Sequence, residues 1–378
     1  MASISSEEYR KRLATIQGEM ERRNLDLLLV YSWKRGTVRY ISGYSPNYIA
    51  NVALVAVPQQ GDPALRIRFP FDLERGQRES WIKDVAASGD VLNLAHEAAI
   101  WTQEKGIVPQ RIGLVSGDNV MDELPYTLYR ELEEAFPSAN FIDAREIFHK
   151  ARLIKSANEF VLLRQSSRVA DAGMDAARRV ILPGASEHEV VAAVEAEVRR
   201  LGAGNWLAVI ASKGESELIG PPEPKDIQAG DNVIFELAVE SSGYWTQVAG
   251  VFYAGGPSQD QRRIYKATHQ AYMAAVEASL PGNTCAQVAA AARKSLQAAG
   301  YGEHIEQDFG HGIGLDLPEP PRIEAEDATI IEPGMVLVIH PAVRVPSVGG
   351  AFIGGTVLVH DQGSEPIHDI PPEPVETG

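Results

Sequence analysis

Apolar positions Tyr9, Leu13, Ile16 and Met20 recur at helical spacing ahead of a continuous apolar run, Leu25 to Tyr31, that has the length of a strand. The runs NVALVAV, ALRIRF and RIGLVS then alternate with polar or helical stretches, which predicts an α/β domain over residues 1–150. Two amphipathic helical patterns follow, Asn158 to Val180 and Glu187 to Leu201. They are separated by LPGAS, in which Pro183 and Gly184 stop the first helix and Ser186 caps the second. Further on come a strand at Trp206–Ala211 and two more at Asn232–Ala238 and Gly243–Phe252. Helices at Gln259–Ser279 and Cys285–Ala299 and late strands around Met335–His340 and Thr356–His360 complete the pattern. Residues 151–378 therefore read as a second domain of α+β class, with helices segregated from an antiparallel sheet. The proline-rich, acidic tail IHDIPPEPVETG is expected to fray.

A length of 378 residues exceeds what one core usually serves, which agrees with two domains. With 44% hydrophobic and 23% charged residues the composition is that of a globular protein. Thirty-five Lys and Arg against 51 Asp and Glu give a formal charge of −16, which repels nucleic acid and anionic membrane and suits a small-molecule partner. Cys285 is the single cysteine, so no disulfide framework exists, and the N-terminus has no apolar stretch of signal-peptide type. A cytoplasmic protein is the expectation.

Four segments carry the chemistry: RLIKSANEFVLLRQSSRVADAG at 152–173, FELAVESSGYWTQVAGVF at 235–252, FGHGIGLDLPEPP at 309–321 and IIEPGMVLVIHP at 330–341. In order and spacing they resemble the creatinase, prolidase and aminopeptidase family. EEYRKRLATIQGEMERRNLDLLLVYS with RYISGY is similar to that family's smaller first domain. The resemblance implies a pita-bread second domain, a hydrolase activity and a homodimer. In the family's peptidases two aspartates eleven residues apart, a histidine in the GHGIG segment and two later glutamates hold two divalent metals. Carried over one position at a time, these fall on Glu236, Gln247, His311, His340 and Gly354. A second family histidine, which polarises the substrate carbonyl, falls on Pro318. With only Glu236 anionic, two hard cations would leave roughly three charges uncompensated in a partly buried pocket.

The expectation from these residues is a creatinase-like, metal-independent hydrolase that cleaves a C–N bond in a small polar non-peptide compound, with no cofactor. His311 or His340 would be the base and Glu236 its orienting partner or the holder of a cationic nitrogen. Gln247, Tyr244, Trp245, Asp316 and Glu319 would bind substrate. The creatinase pattern itself does not carry over, because its loop histidine has no counterpart in SKGESELIGPPEP and one of its glutamates falls on Ala249. Two alternatives stand beside this reading. One is a hydrolase with a single divalent metal, or an Xaa-Pro-type peptidase, using Glu236, His311 and His340. The other is a non-catalytic binding module. Lys213, Glu215 and Glu217 are within reach of the pocket entrance but read foremost as a solvated charged loop, and Trp33, Arg39 and Tyr48 are candidates for contributions across a dimer.

Overall fold

The structure, a computed structural model, describes residues 4–33, 36–46, 51–116, 124–212, 218–306 and 308–378. The chain divides into two compact units, Ser3–Arg152 and Leu153–Gly378.

In the first unit, helix α1 (Ser6–Arg22) begins where the Ser5 side chain accepts from Glu8 N, and Glu7 and Glu8 complement its N-terminal dipole. It ends at Asn24, whose φ of +53° no helix continues. The strands are β1 (Leu27–Ser32), β2 (Ala53–Pro58), β3 (Ala64–Ile67), β4 (Asp84–Ala87), β5 (Arg111–Val115) and β6 (Asn140–Asp143). They form a mixed sheet ordered β4-β3-β2-β1-β5-β6. Helices α2 (Gly36–Ser42), α3 (Leu73–Glu79), α4 (Asn93–Glu104), α5 (Tyr126–Ala135) and α6 (Arg145–Leu153) flank the strands in sequence. Leu27, Leu29 and Tyr31 of β1 pack with Leu94, Ala98 and Trp101 of α4 and Leu128 and Leu132 of α5.

The second unit carries the candidate site. Its helices α7 (Ala157–Val180), α8 (Glu187–Arg200), α9 (Gln259–Ala278) and α10 (Cys285–Ala298) each open with a reciprocal capping box, from Ser156, Ser186, Ser258 and Thr284. The strands are β7 (Asn205–Ser212), β8 (Asn232–Ser241), β9 (Tyr244–Ala254), β10 (Gly310–Gly312), β11 (Glu319–Arg322), β12 (Val336–Ile339), β13 (Ala342–Val345), β14 (Gly349–Phe352), β15 (Gly354–His360), β16 (Gly363–Pro366) and β17 (Val375–Thr377). Among the described residues the main sheet is ordered β11-β10-β12-β15-β9-β8-β7, with antiparallel neighbours throughout.

Strand β8 is buried on both faces, which is why NVIFELAV reads as a nearly unbroken apolar run. Val233, Phe235, Leu237 and Val239 pack with Val190, Val194 and Val198 of α8. Ile234, with Val251 and Tyr253 of β9, belongs to the core that holds α9 and α10. The α+β reading holds in this unit. The fraying expected of the tail does not, because Val375–Thr377 pairs in parallel with β9. The polar tail is tied down by Tyr265 Oη donating to Pro371 O at 2.7 Å and by Lys266–Glu373 and Arg262–Glu376 ion pairs. Those partners lie more than a hundred residues away in the chain, beyond the reach of local composition.

Candidate active site

Strands β8 and β9 meet in a two-residue turn, Ser242–Gly243, both at positive φ, which is the geometry that matches hairpin twist. The tight register puts Ala238 opposite Gln247 and Glu236 opposite Ala249. Two residues eleven apart in sequence therefore become diagonal neighbours, and Gln247 Nε2 donates to Glu236 Oε1. The Gln247 backbone is held independently. Its N–H donates to Thr356 Oγ1 at 2.9 Å, and the same hydroxyl donates back to Gln247 O at 3.1 Å.

Glu236 is a buried carboxyl inside an apolar stretch of β8, and burial pushes it up to about 7 against the opposing bond from Gln247. Gln247 Oε1 is buried with no hydrogen-bond partner among the described residues.

His311 sits on β10 between two glycines for steric reasons. A β-carbon at Gly310 would lie 1.9 Å from Val338 O, and one at Gly312 would lie 2.2 Å from Pro320 O. This lets β10 lie tightly between β12 and β11. His311 Nδ1–H donates to Gly312 O at 2.8 Å, which leaves Nε2 as the ring's lone-pair nitrogen. His340 follows β12, its ring 5.4 Å from that of His311 and 5.0 Å from Phe352, both edge to face. Burial lowers the His311 imidazolium to about 4. Burial, then the neighbouring His311, lowers His340 to about 3. Both rings are neutral at physiological pH, and His340 Nδ1 is buried with no hydrogen-bond partner among the described residues.

The remaining sequence candidates are placed as follows. Tyr244 Oη donates to Glu159 Oε1 at 3.0 Å, tying β9 to the start of α7. Trp245 N donates to Gly314 O at 2.7 Å, tying β9 to the loop after β10. Glu319 is buried against Lys155 at 3.0 Å and accepts from Asp316 N at 3.0 Å. Lys213, Glu215, Glu217 and Tyr48 lie outside the described residues. Trp33 and Arg39 belong to the first unit. Thr356, which fixes the Gln247 backbone, and Lys155, which meets Glu319, carried no sequence-based role.

Gly354 on β15 has no room for the glutamate of the family pattern. A β-carbon there would stand 1.9 Å from Ile339 O and 2.7 Å from His340 Cα. Two divalent cations do not fit this set: one carboxylate faces the work of four, and it is already engaged by an amide. Among the described residues, no three His, Cys, Asp or Glu side chains are grouped so as to hold a metal ion as they stand. The donor types of His311, His340 and Glu236 are those a single transition-metal ion takes, and His340 Nδ1 has no hydrogen-bond partner among the described residues.

The fold and this constellation define a hydrolase scaffold of the peptidase type. Residues 161–361 match metallopeptidase family M24 and residues 12–154 match the Creatinase/Prolidase N-terminal domain, and the chain belongs to metallopeptidase family M24. It is 29% identical to the Xaa-Pro dipeptidase of Pyrococcus horikoshii over 349 residues, 92% of this chain and 93% of that protein. It is 32% identical to the Xaa-Pro dipeptidase of Pyrococcus furiosus over 245 residues, 64% of this chain and 70% of that one. Among solved structures, the prolidase from Pyrococcus horikoshii OT3 superposes with a TM-score of 0.84 at 27% identity, over 95% of this chain and 98% of that one. The Xaa-Pro dipeptidase from Bacillus anthracis gives 0.86 at 25% identity, over 97% and 99%.

These relatives overturn the expectation of a metal-independent hydrolase for a non-peptide C–N bond. Over nearly the whole chain the similarity is to Xaa-Pro dipeptidases, in a metallopeptidase family, and an expectation of no cofactor draws no support from that. The carboxylates of the two-metal pattern are mostly lost, yet the fold surrounding their positions is that of the peptidases. Among the described residues no helix is long and apolar enough to cross a membrane.

Proposed function

We propose that this chain is a peptidase of the Xaa-Pro dipeptidase type, with Glu236, His311 and His340 as its working residues and one divalent metal ion in place of two. The observation that carries the reading is the retained His311, set between two obligatory glycines beside His340, on a chain similar end to end to Xaa-Pro dipeptidases. His311 and His340 would hold the ion, with Glu236 joining once the Gln247 amide gives way. When bound, such an ion polarises the scissile carbonyl and a water molecule. The chain's own groups set the rest. His311 can present only Nε2 to a ligand, because Nδ1–H is committed to Gly312 O. Gln247 Oε1 accepts from a substrate N–H. A dipeptide-sized substrate and assembly as a homodimer belong to this reading.

The test is hydrolysis of a panel of Xaa-Pro dipeptides by protein purified without chelators, repeated with Mn²⁺, Co²⁺ or Zn²⁺ added. Turnover that needs a metal and disappears in His311→Ala supports the reading. Absence of turnover under every metal refutes it. A second reading, a binding module without catalysis, is favoured by Gln247 and Gly354, which put neutral groups at two carboxylate positions. Dipeptide binding by calorimetry with no turnover would select it.

A further inference from the structure

Lys155 and Glu319 form an ion pair whose side chains are 3% and 6% exposed, 164 residues apart in sequence, in a unit where the other short Lys and Arg pairs among the described residues reach solvent on at least one side. Burying two charges gains little net stability over two apolar side chains, so the pair's value is better sought in what it holds in place. On one side Lys155 N donates to Gly334 O at 2.8 Å, at the turn before β12. On the other, Glu319 Oε2 takes the ammonium while Oε1 accepts from Asp316 N, closing the loop that runs from Ile313 to Glu319. Gly314 lies against both: a β-carbon there would be 2.9 Å from Lys155 Cε and 3.1 Å from the Glu319 carboxylate oxygens. Gly314 O accepts from Trp245 N, two residues from Gln247, and Gly314 is three residues from His311.

We infer that Lys155 is a positioning residue: through Glu319 it latches the 313–319 loop against β9 and so fixes where His311 and Gln247 stand relative to a bound ligand. Its effect on substrate rests on the dipeptidase reading above; its effect on the loop does not.

The test compares wild type with Lys155→Met and with Lys155→Met/Glu319→Leu in the full chain. Melting temperature, hydrogen exchange of amides 313–322 and KM and kcat for an Xaa-Pro dipeptide are measured. Lys155→Met leaves a buried carboxylate unpaired and is expected to lower the melting temperature by about 6 °C or more. The double variant, with no buried charge, is expected to recover most of that loss. It should still show fast exchange across the loop and a KM raised by about tenfold, with a smaller change in kcat. A merely structural pair predicts that exchange and KM recover together with melting temperature, and that result overturns the proposal. Should wild type neither bind nor cleave the dipeptides, the dipeptidase reading fails while the exchange measurement still decides the latch.

Discussion

Gly354→Ala offers a direct measure of how far this site has departed from the two-metal arrangement. The new β-carbon would stand 1.9 Å from Ile339 O, so β15 and β12 must open by about 1.5 Å locally before ordinary contact is restored. The opening falls where Ile339 pairs with Gly355 and Val338 with Thr356, in a fully buried part of the sheet. Overpacking in such a place costs roughly 1–3 kcal/mol. For a unit of this size that corresponds to a melting temperature lower by roughly 2–12 °C. Gly363→Ala on β16, where a β-carbon meets nothing within 4 Å, is the control and should stay within about 0.5 kcal/mol of wild type. Urea unfolding followed by tryptophan fluorescence, with both variants measured alongside wild type, gives the numbers. A Gly354→Ala protein as stable as the control would show that β15 yields freely, and the steric argument against a glutamate at this position would fall.

Gln247→Asp replaces the amide that caps Glu236 with a second carboxylate. Melting should drop without added metal and recover by several degrees in millimolar Mn²⁺, whereas wild type shifts less; equal shifts in a thermal denaturation series would count against the donor assignment. Burial, then Asp327, pushes the Cys285 thiol up to about 12, so its reaction with iodoacetamide at pH 8 should proceed only as fast as the unit opens, and rapid native labelling would contradict the burial seen at the start of α10. Arg164, and after it His360, holds the Glu365 carboxyl down at about 2. This contribution is present above the ordinary carboxylate value of 4.5 and lost as pH falls toward 2, so the melting difference between wild type and Glu365→Gln should shrink across that interval. The pair is substantially exposed, and the difference should be small even at its largest.

The elements that local chemistry dictates were readable from the chain. Ser186 announced the start of α8, the apolar repeat of α7 gave its extent, and GHGIG marked His311 as a candidate between two glycines, though not as part of a strand. The eleven-residue interval between Glu236 and Gln247 became a contact because a two-residue hairpin lies between them, which is a short-range matter. What stayed hidden depends on distant partners. Nothing near Lys155 in the sequence points to Glu319, nothing near Gln247 points to Thr356, and the tail reads as disordered until Val375 finds β9. The chemical assignment failed in a different way: counting carboxylates favoured a non-peptide reaction, whereas similarity across the whole chain is to Xaa-Pro dipeptidases.

The double tie between Thr356 and the backbone of Gln247 makes position 247 a socket. Whatever side chain is installed there emerges from a main-chain point fixed by a neighbouring strand and does not depend on its own bond to Glu236. A saturation library at this single codon would therefore report on donor, acceptor, charge and size nearly free of backbone rearrangement, and would map which chemistry the Glu236 carboxyl accepts beside it before any ligand is known.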